Sequence, residues 1–217
     1  LISSVRANRT FLARTVRYLA ESGIRQFLDI GTGIPSPGNT HEVAQAVAPE
    51  ARVVYVDNDP MVLSHARALL RGDPRGATAY IDADLRDADK ILYEAARVLD
   101  FNQPIAVMLV AVLHLIRDED HPAKVIRQLM AAVPVGSSLT ISHVPNDMHA
   151  GQMSAMSDRL NRLLSQPSTY RGRAEVEGFF DGLDLVTPGV VPIQDWRSTP
   201  EEATAVAAMW GGVAIKR

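Results

Sequence analysis

Short apolar runs alternate along the chain with stretches in which apolar residues recur every three or four positions. The short runs predict strands that are buried on both faces, and the helical spacing predicts helices between them. The predicted strands are 26–30, 52–57, 78–82, 105–112 and 137–143. The predicted helices are 1–23, 40–48, 61–71, 87–99 and 120–132, the last of them capped by Asp120. This alternation predicts an α/β fold with a doubly wound, mostly parallel sheet.

The alternation stops after Pro145. Helical patterns at 147–165 and 172–180 predict a helical insertion over 147–180 that covers the site. The segments 183–191 and 205–215 predict two consecutive strands, paired antiparallel at the edge of the sheet, and Gly211-Gly212 suggests a β-bulge. No segment is rich enough in Gly, Pro or Ser to separate two domains, so we expect one domain over residues 1–217.

Composition narrows the classes of protein that fit. The chain is 47% hydrophobic and 22% charged with a formal net charge of −3, which is typical of a globular protein and leaves no basic stripe for nucleic acid. It has no cysteine, which excludes disulfides and thiolate chemistry and suits a reducing, cytoplasmic environment. No apolar run is long enough for a transmembrane helix, so no membrane partner is expected.

The first two strands end on residues that are typical of a nucleotide site. The strand that begins at Phe27 leads into Gly31 and Gly33, where the backbone can approach a ligand closely, and the second strand ends on Asp57, which can accept both ribose hydroxyls. Asp84 ends the third strand and can accept the adenine amino group, with Leu85 against the ring. The alternative for Asp57 and Asp84 is helix capping, and two other residues, Asp59 and Asp87, are better placed for that.

The loop after the first strand favours a ligand without phosphates. Ser36 stands where a dinucleotide fingerprint would have glycine. Pro35 and Pro37 on either side remove two of the N–H donors that a pyrophosphate needs. An NAD-dependent oxidoreductase is therefore the less favoured alternative.

Several blocks together resemble one family: residues 27–45 (FLDIGTGIPSPGNTHEVAQ), 56–60 (VDNDP), 179–183 (FFDGL) and 188–190 (PGV). The chain resembles class I S-adenosylmethionine-dependent methyltransferases, and most closely the bacterial S-adenosyl methyltransferase family formerly catalogued as a domain of unknown function. The resemblance implies a seven-stranded sheet with the last strand inserted antiparallel, and an S-adenosylmethionine cofactor at the carboxyl ends of the strands. It also implies a further N-terminal segment that closes over the site and that we expect to be missing from this chain.

The cofactor contacts expected from these motifs and from the resemblance involve ten residues. They are Asp29, Gly31, Thr32, Gly33, Asn39, Asp57, Asn58, Asp84, Leu85 and Ala111. Of these, the resemblance assigns Asp29, Gly31 and Gly33 to the methionine part of the cofactor.

Two histidines are candidate catalytic bases. His114 follows the fourth strand and is similar to the Leu-His turn of many small-molecule methyltransferases, and His143 ends the fifth strand. The alternative is that loop backbone satisfies both rings. The spacing of His114, Asp118 and Asp120 does not indicate a metal site.

The expected activity is methyl transfer to a small-molecule acceptor. The chain lacks the Asn/Asp-Pro-Pro-Tyr motif after the fourth strand, which argues against methylation of nucleic-acid bases. The main alternative is a non-catalytic regulatory module that binds S-adenosylmethionine. The sequence leaves a homodimer open.

Overall fold

The computed structural model describes residues 2–35, 37–62, 64, 73–148, 168–199 and 208–217. The helices are α1 (Ile2–Glu21), α2 (Thr40–Val47), α3 (Ala88–Ala95), α4 (Pro122–Ala132) and α5 (Arg173–Gly178). The strands are β1 (Gln26–Ile30), β2 (Arg52–Asp57), β3 (Ala77–Asp82), β4 (Ala106–Val110), β5 (Ser138–His143), β6 (Asp184–Leu185), β7 (Val191–Pro192) and β8 (Trp210–Ile215). Most of the predicted helices 61–71 and 147–165 lies outside the described residues.

The strands form one mixed sheet. Its order is β3-β2-β1-β4-β5-β8-β6, with β7 also paired to β8. Neighbours among β1 to β5 run parallel, whereas β8 is antiparallel to β5, β6 and β7. The predicted doubly wound α/β fold with an antiparallel last strand is therefore confirmed.

The end of the chain differs from the prediction in two respects. The single strand expected over 183–191 is two short strands, β6 and β7, which makes eight strands in the described sheet rather than seven. The residue pattern predicted an antiparallel pair at the edge of the sheet, whereas β8 is inserted between β5 and β6, as the resemblance implied.

Two apolar layers cover the sheet. Because side chains alternate along a strand, Leu28 and Ile30 of β1 enter the layer that contains residues of α3, α4 and α5. Phe27 enters the opposite layer, which contains residues of α1 and α2. Asp29, two residues after Phe27, therefore points toward the α1 side of the sheet.

Two local predictions are wrong. The pairing of β5 with β8 is continuous from Ser138↔Ile215 to His143↔Trp210, so Gly211 and Gly212 form no bulge in this ladder. They are glycines because neighbours pack closely against them: a Cβ on Gly211 would lie 2.7 Å from Ile193 Cγ2. Asp120 does not cap the following helix, since α4 begins with Pro122 and its cap residue is His121, with φ +52°.

Candidate functional site

A cleft of about 320 Å³ opens at the carboxyl ends of the strands. It lies where the strand order reverses between β1 and β4, which is where ligands bind in open α/β sheets. Its volume is within the usual range for ligand pockets. Seven of the residues expected to contact a cofactor line it: Gly31, Gly33, Asp57, Asn58, Asp84, Leu85 and Ala111.

The glycine turn after β1 brings the backbone close to this cleft. Gly31 has φ +77°, and a Cβ on it would collide with the side chain of Val112, which lines the cleft after β4. Gly33 has φ +62°, another conformation that favours glycine. Across the cleft, Ala111 holds φ +55° without being glycine, a backbone strain of the kind found at functional sites.

Backbone N–H groups fix the two predicted ligand carboxylates. Asp57 accepts from the N–H of Gly33 and from the N–H of Asp59, each at 3.0 Å. Asp84 accepts from the side-chain amide of Asn58 at 3.0 Å and from the N–H of Arg86 at 2.9 Å. Each carboxylate retains capacity for further hydrogen bonds, because two oxygens offer about four acceptor sites.

Helix capping falls to the residues predicted for it. Asp59 accepts from the N–H of Met61 at 2.8 Å, and Asp87 accepts from the N–H of Lys90 at 3.1 Å, at the start of α3. Asp57 and Asp84 also accept from the N–H two residues further on, but the residues that directly follow them, 58–59 and 85–87, are not helical. Their position at the cleft is therefore not explained by capping.

The start of α2 is poorly suited to a phosphate. The Glu42 carboxylate accepts from the N–H of Gly38 at 2.7 Å and from the side chain of Asn39 at 3.2 Å. A negative side chain thus stands where a dinucleotide phosphate would need donors. This arrangement fits an adenosyl ligand without phosphates and disfavours a dinucleotide.

The other expected cofactor residues, Asp29, Thr32 and Asn39, line a small recess of about 20 Å³ beside the cleft. Gly33 lines both spaces. Asp29 is buried, and its Oδ2 accepts from the Thr40 hydroxyl at 2.6 Å. Burial raises the pKa of the Asp29 carboxyl to about 6, against opposing contributions from the Thr40 hydrogen bond and the positive charge of Arg9.

Arg171 donates a hydrogen bond to Nε2 of His143, the ring nitrogen that would have to accept a proton if His143 were a base. The His143 ring is fully buried, with Nδ1 2.8 Å from the carbonyl oxygen of Val144 and Nε2 3.0 Å from Nη1 of Arg171. Because a guanidinium can only donate, Nε2 must accept, and Nδ1 must carry the proton that is donated to Val144. Burial lowers the pKa of His143 to about 4, so the ring is neutral and its lone pair is engaged.

His114 differs from His143 in having a free nitrogen. Its Nδ1 is buried and has no hydrogen-bond partner among the described residues. Burial, with a smaller contribution from Arg171, lowers its pKa to about 4. The two histidine rings lie edge to face with their centroids 6.2 Å apart, and neither ring lines the cleft.

Sequence reasoning missed two arginines at this site. Arg171, buried except for 2% of its surface, donates to the carbonyl oxygens of Leu113 and Ile116 and to the Asp118 carboxylate at 2.6 Å. Arg9 reaches from α1 into the Asp29 recess. No local motif marks either residue, because each works through contacts far away in the sequence.

The described residues contain neither a metal-binding cluster nor a membrane-spanning helix. No group of three or more His, Asp, Glu or Cys side chains among them is arranged to hold a metal ion. Within the same residues, no helix combines the length and apolar character needed to cross a membrane.

Comparisons with known proteins point to one family. A family model described as S-adenosyl methyltransferase matches residues 1–217. A DUF574 family protein from Streptomyces avermitilis is 43% identical with a TM-score of 0.93, over 98% of this chain and 83% of that chain. A candidate methyltransferase from Thermobifida fusca is 39% identical with a TM-score of 0.88, over 99% of this chain and 82% of that chain.

A more distant structure shares the fold. Magnesium protoporphyrin IX methyltransferase from Synechocystis PCC 6803, solved with bound S-adenosylhomocysteine, is 13% identical with a TM-score of 0.61, over 99% of this chain and 86% of that chain. A comparison with curated protein sequences gives no significant match.

The cleft and the comparisons agree. Three features of the cleft fit S-adenosylmethionine: the glycine turn with positive φ, the two carboxylates that are held in place by hydrogen bonds, and the start of α2, where Glu42 disfavours a phosphate. The family match covers the whole chain and favours an enzyme over both a non-catalytic module and an oxidoreductase. The chain therefore belongs to the S-adenosyl methyltransferase family and is an S-adenosylmethionine-dependent methyltransferase.

Proposed function

We propose that this methyltransferase acts on a small-molecule acceptor. The observation that carries the proposal is the segment after β4, where Leu115 and Ile116 give the cleft an apolar wall in place of the Asn/Asp-Pro-Pro-Tyr motif of enzymes that methylate nucleic-acid bases. The Synechocystis enzyme of the same fold is named for a porphyrin, which is a small molecule. The formal net charge of −3 supports the same conclusion, since it offers no general attraction for nucleic acid.

In this proposal four groups of residues in the cleft and the recess bind the parts of the cofactor. Asp57 accepts the ribose hydroxyls, and Asp84 with Leu85 and Asn58 holds the adenine. Gly31, Gly33 and Ala111 line the path between ribose and sulfur, while Asp29, Thr32 and Asn39 surround the methionine part. S-adenosylmethionine supplies an activated methyl group on its sulfonium, and the protein contributes mainly by positioning the acceptor in line with it.

The base is His114 if the acceptor arrives protonated. Its ring does not line the cleft but directly precedes Leu115 of the cleft wall, and its Nδ1 is unpartnered in the described structure. The lowered pKa of about 4 makes the imidazole a weaker base but keeps the resting ring neutral, as a proton acceptor must be. We assign His143 to orientation instead, since its Nε2 accepts from Arg171.

Calorimetry with S-adenosylhomocysteine tests the cofactor assignment. We expect a micromolar dissociation constant, about −8 kcal/mol, for the unaltered protein. Asp57→Ala should weaken binding by more than about 100-fold, because it removes two charge-assisted hydrogen bonds of roughly 1.5–3 kcal/mol each. Asp82→Asn is the matched control, since Asp82 is exposed and pairs with Asp57 on the neighbouring strand. Equal effects of the two substitutions would refute the ribose assignment.

Transfer of a labelled methyl group tests the acceptor class. The protein is incubated with deuteromethyl S-adenosylmethionine and a cell extract divided by dialysis, and both fractions are examined by mass spectrometry. We expect the label in the dialysable fraction, and label confined to macromolecules would contradict the proposal. His114→Gln should slow transfer and leave S-adenosylhomocysteine affinity unchanged, and a variant as fast as the unaltered protein would exclude His114 as the base.

A further inference from the structure

We propose that Arg9 of α1 binds the α-carboxylate of the cofactor's methionine part, while Asp29 on the opposite wall of the recess takes its α-ammonium group. The inference rests on the cofactor placement proposed above. It adds a residue from outside the nucleotide-binding loops and gives the recess a defined role, which is to recognise an amino-acid zwitterion.

Arg9 bridges α1 and the loop that follows β1. Its Nη2 donates to the carbonyl oxygen of Ile34 at 3.1 Å, which holds the guanidinium beside that loop. A guanidinium has five N–H donors, so this bond leaves others for a ligand. No ion pair of Arg9 is present in the described structure. A partly buried arginine with spare donors is well suited to a carboxylate.

The opposite wall of the recess is a row of side chains across three strands. Asp29 of β1 lies directly beside Tyr55 of β2, which lies beside Tyr80 of β3. The two tyrosine rings are stacked with centroids 5.3 Å apart, and the Tyr80 hydroxyl is buried without a partner among the described residues. Among the described residues, Asp29 receives one hydrogen bond, from Thr40 to Oδ2, which leaves its other oxygen available to a ligand.

The recess thus places a carboxyl group, from Asp29, and a guanidinium group, from Arg9, in a very small space. Its volume of about 20 Å³ is close to that of a single water site, so it accepts the tip of a ligand rather than a ring. It joins the adenosyl cleft at Gly33. A ligand that fits both spaces has a nucleoside at one end and a small group bearing both charges at the other, which describes S-adenosylmethionine.

The other described arginines in the middle of α1 are placed differently. Arg14 donates to the carbonyl oxygens of Trp196 at 3.0 Å and Ile193 at 2.5 Å, which fixes it to the end of the sheet. Arg17 is exposed and shares an outer groove with Arg9 but does not line the recess. Arg17 is therefore a control of the same residue type on the same helix.

The consequence is selectivity for the amino-acid end of the cofactor. S-adenosylhomocysteine carries both charges, whereas 5′-methylthioadenosine has the same adenosine and thioether without them. If Arg9 binds the carboxylate, Arg9→Gln should weaken S-adenosylhomocysteine binding about 10- to 100-fold, as expected for a lost charge-assisted hydrogen bond. Affinity for 5′-methylthioadenosine should not change, and Arg17→Gln should alter neither affinity.

Calorimetry of the unaltered protein, Arg9→Gln and Arg17→Gln with S-adenosylhomocysteine and with 5′-methylthioadenosine tests whether Arg9 binds the carboxylate. If Arg9→Gln binds S-adenosylhomocysteine as well as the unaltered protein does, or weakens both ligands equally, the inference is overturned while the proposed function stands. If the unaltered protein binds no S-adenosylhomocysteine, the proposed function fails and the inference with it.

A comparison on the ligand side needs no folded variant. The unaltered protein should bind decarboxylated S-adenosylmethionine about 10- to 100-fold more weakly than S-adenosylmethionine, because only the carboxylate is missing. Equal affinities for the two would overturn the role of Arg9 even if Arg9→Gln did not fold.

Discussion

The two sides of the site hold their charged groups in different ways. On the cofactor side, after β1, β2 and β3, carboxylates are fixed by backbone N–H groups and still face the cleft, with 33% of the Asp84 side chain exposed. On the histidine side, formed by residues 113–118, 143–144 and 168–172, Arg171 is only 3% exposed and its donors are taken by protein acceptors.

On the cofactor side, hydrogen-bonding capacity is left over for a ligand, whereas on the histidine side most polar groups are already satisfied by other protein groups. Asp57 and Asp84 have acceptor capacity to spare, whereas the Nε2 of His143 and the guanidinium of Arg171 satisfy each other. Within the described histidine side, the Nδ1 of His114 is a buried ring nitrogen without a partner. The polar groups that still have hydrogen-bonding capacity are therefore the ones available to bind a ligand or to accept a proton.

The largest expected effect is on the framework. Arg171→Met should lower the free energy of unfolding by about 3 kcal/mol, because it leaves the carbonyl oxygen of Ile116 and the Nε2 of His143 without their donor, at roughly 1–3 kcal/mol for each buried unsatisfied group. Urea denaturation measures the change. Arg173→Met is the control, since Arg173 is exposed and lies over the Trp210 ring at 5.9 Å. If the two variants were equally stable, Arg171 would not hold the histidine side together.

A smaller effect is expected at the glycine turn of the cofactor side. Gly31→Ala should cost about 2 kcal/mol of stability and weaken S-adenosylhomocysteine binding, because the new Cβ meets Val112 at a left-handed position. Gly38→Ala separates the two causes, since Gly38 has φ +85° but nothing within 4 Å of an added Cβ. It should cost about 1 kcal/mol, from the backbone conformation alone. Equal losses in the two variants, by thermal or urea unfolding, would show that close approach at Gly31 is unimportant.

The cofactor side could be predicted because its signals are local. A residue that ends a parallel strand must lie at the carboxyl edge of the sheet, so the positions of Asp57 and Asp84 follow once the strands are known. Their competitors Asp59 and Asp87 are told apart by spacing alone, since each stands directly before a helix. The resemblance to a known family added the identity of the cofactor.

The two arginines, Arg171 on the histidine side and Arg9 in the recess, could not be predicted, because their signals are long-range. Arg6, Arg9, Arg14 and Arg17 are alike in sequence, and only the packing of α1 on the sheet brings Arg9 to Asp29. Arg171 is 58 positions away from Leu113 and 55 positions away from Ile116 in the sequence, and even His143 is 28 positions away. Gly211 was wrongly predicted to mark a bulge because the contact that requires a glycine there, with Ile193, arises only in the folded structure and leaves no local signal in the sequence.

The smallest expected effect is the pH dependence of stability, to which the two sides contribute with opposite sign. The pKa values of His114 and His143 are lowered to about 4 from 6.5, so the unfolded chain takes up protons first and stability is lost as pH falls below 6.5. The pKa of Asp29 is raised from 3.8 to about 6, so its contribution is present at low pH and is lost as pH rises through 6. Between pH 7 and 6 the histidines prevail, and the free energy of unfolding should fall by about 1 kcal/mol.

Replacing Asp29 removes the carboxyl whose titration opposes that of the histidines, so the histidine contribution can be measured alone. In Asp29→Asn the histidine contribution acts without opposition, so the loss of stability between pH 7 and 6 should be larger than in the unaltered protein, as followed by urea denaturation at each pH. A protein that became more stable at pH 6 would contradict the neutral, buried state of the histidines. An equal pH response with and without Asp29 would mean that this carboxyl is already ionised at pH 6, and that the recess presents a full negative charge opposite Arg9 throughout this range.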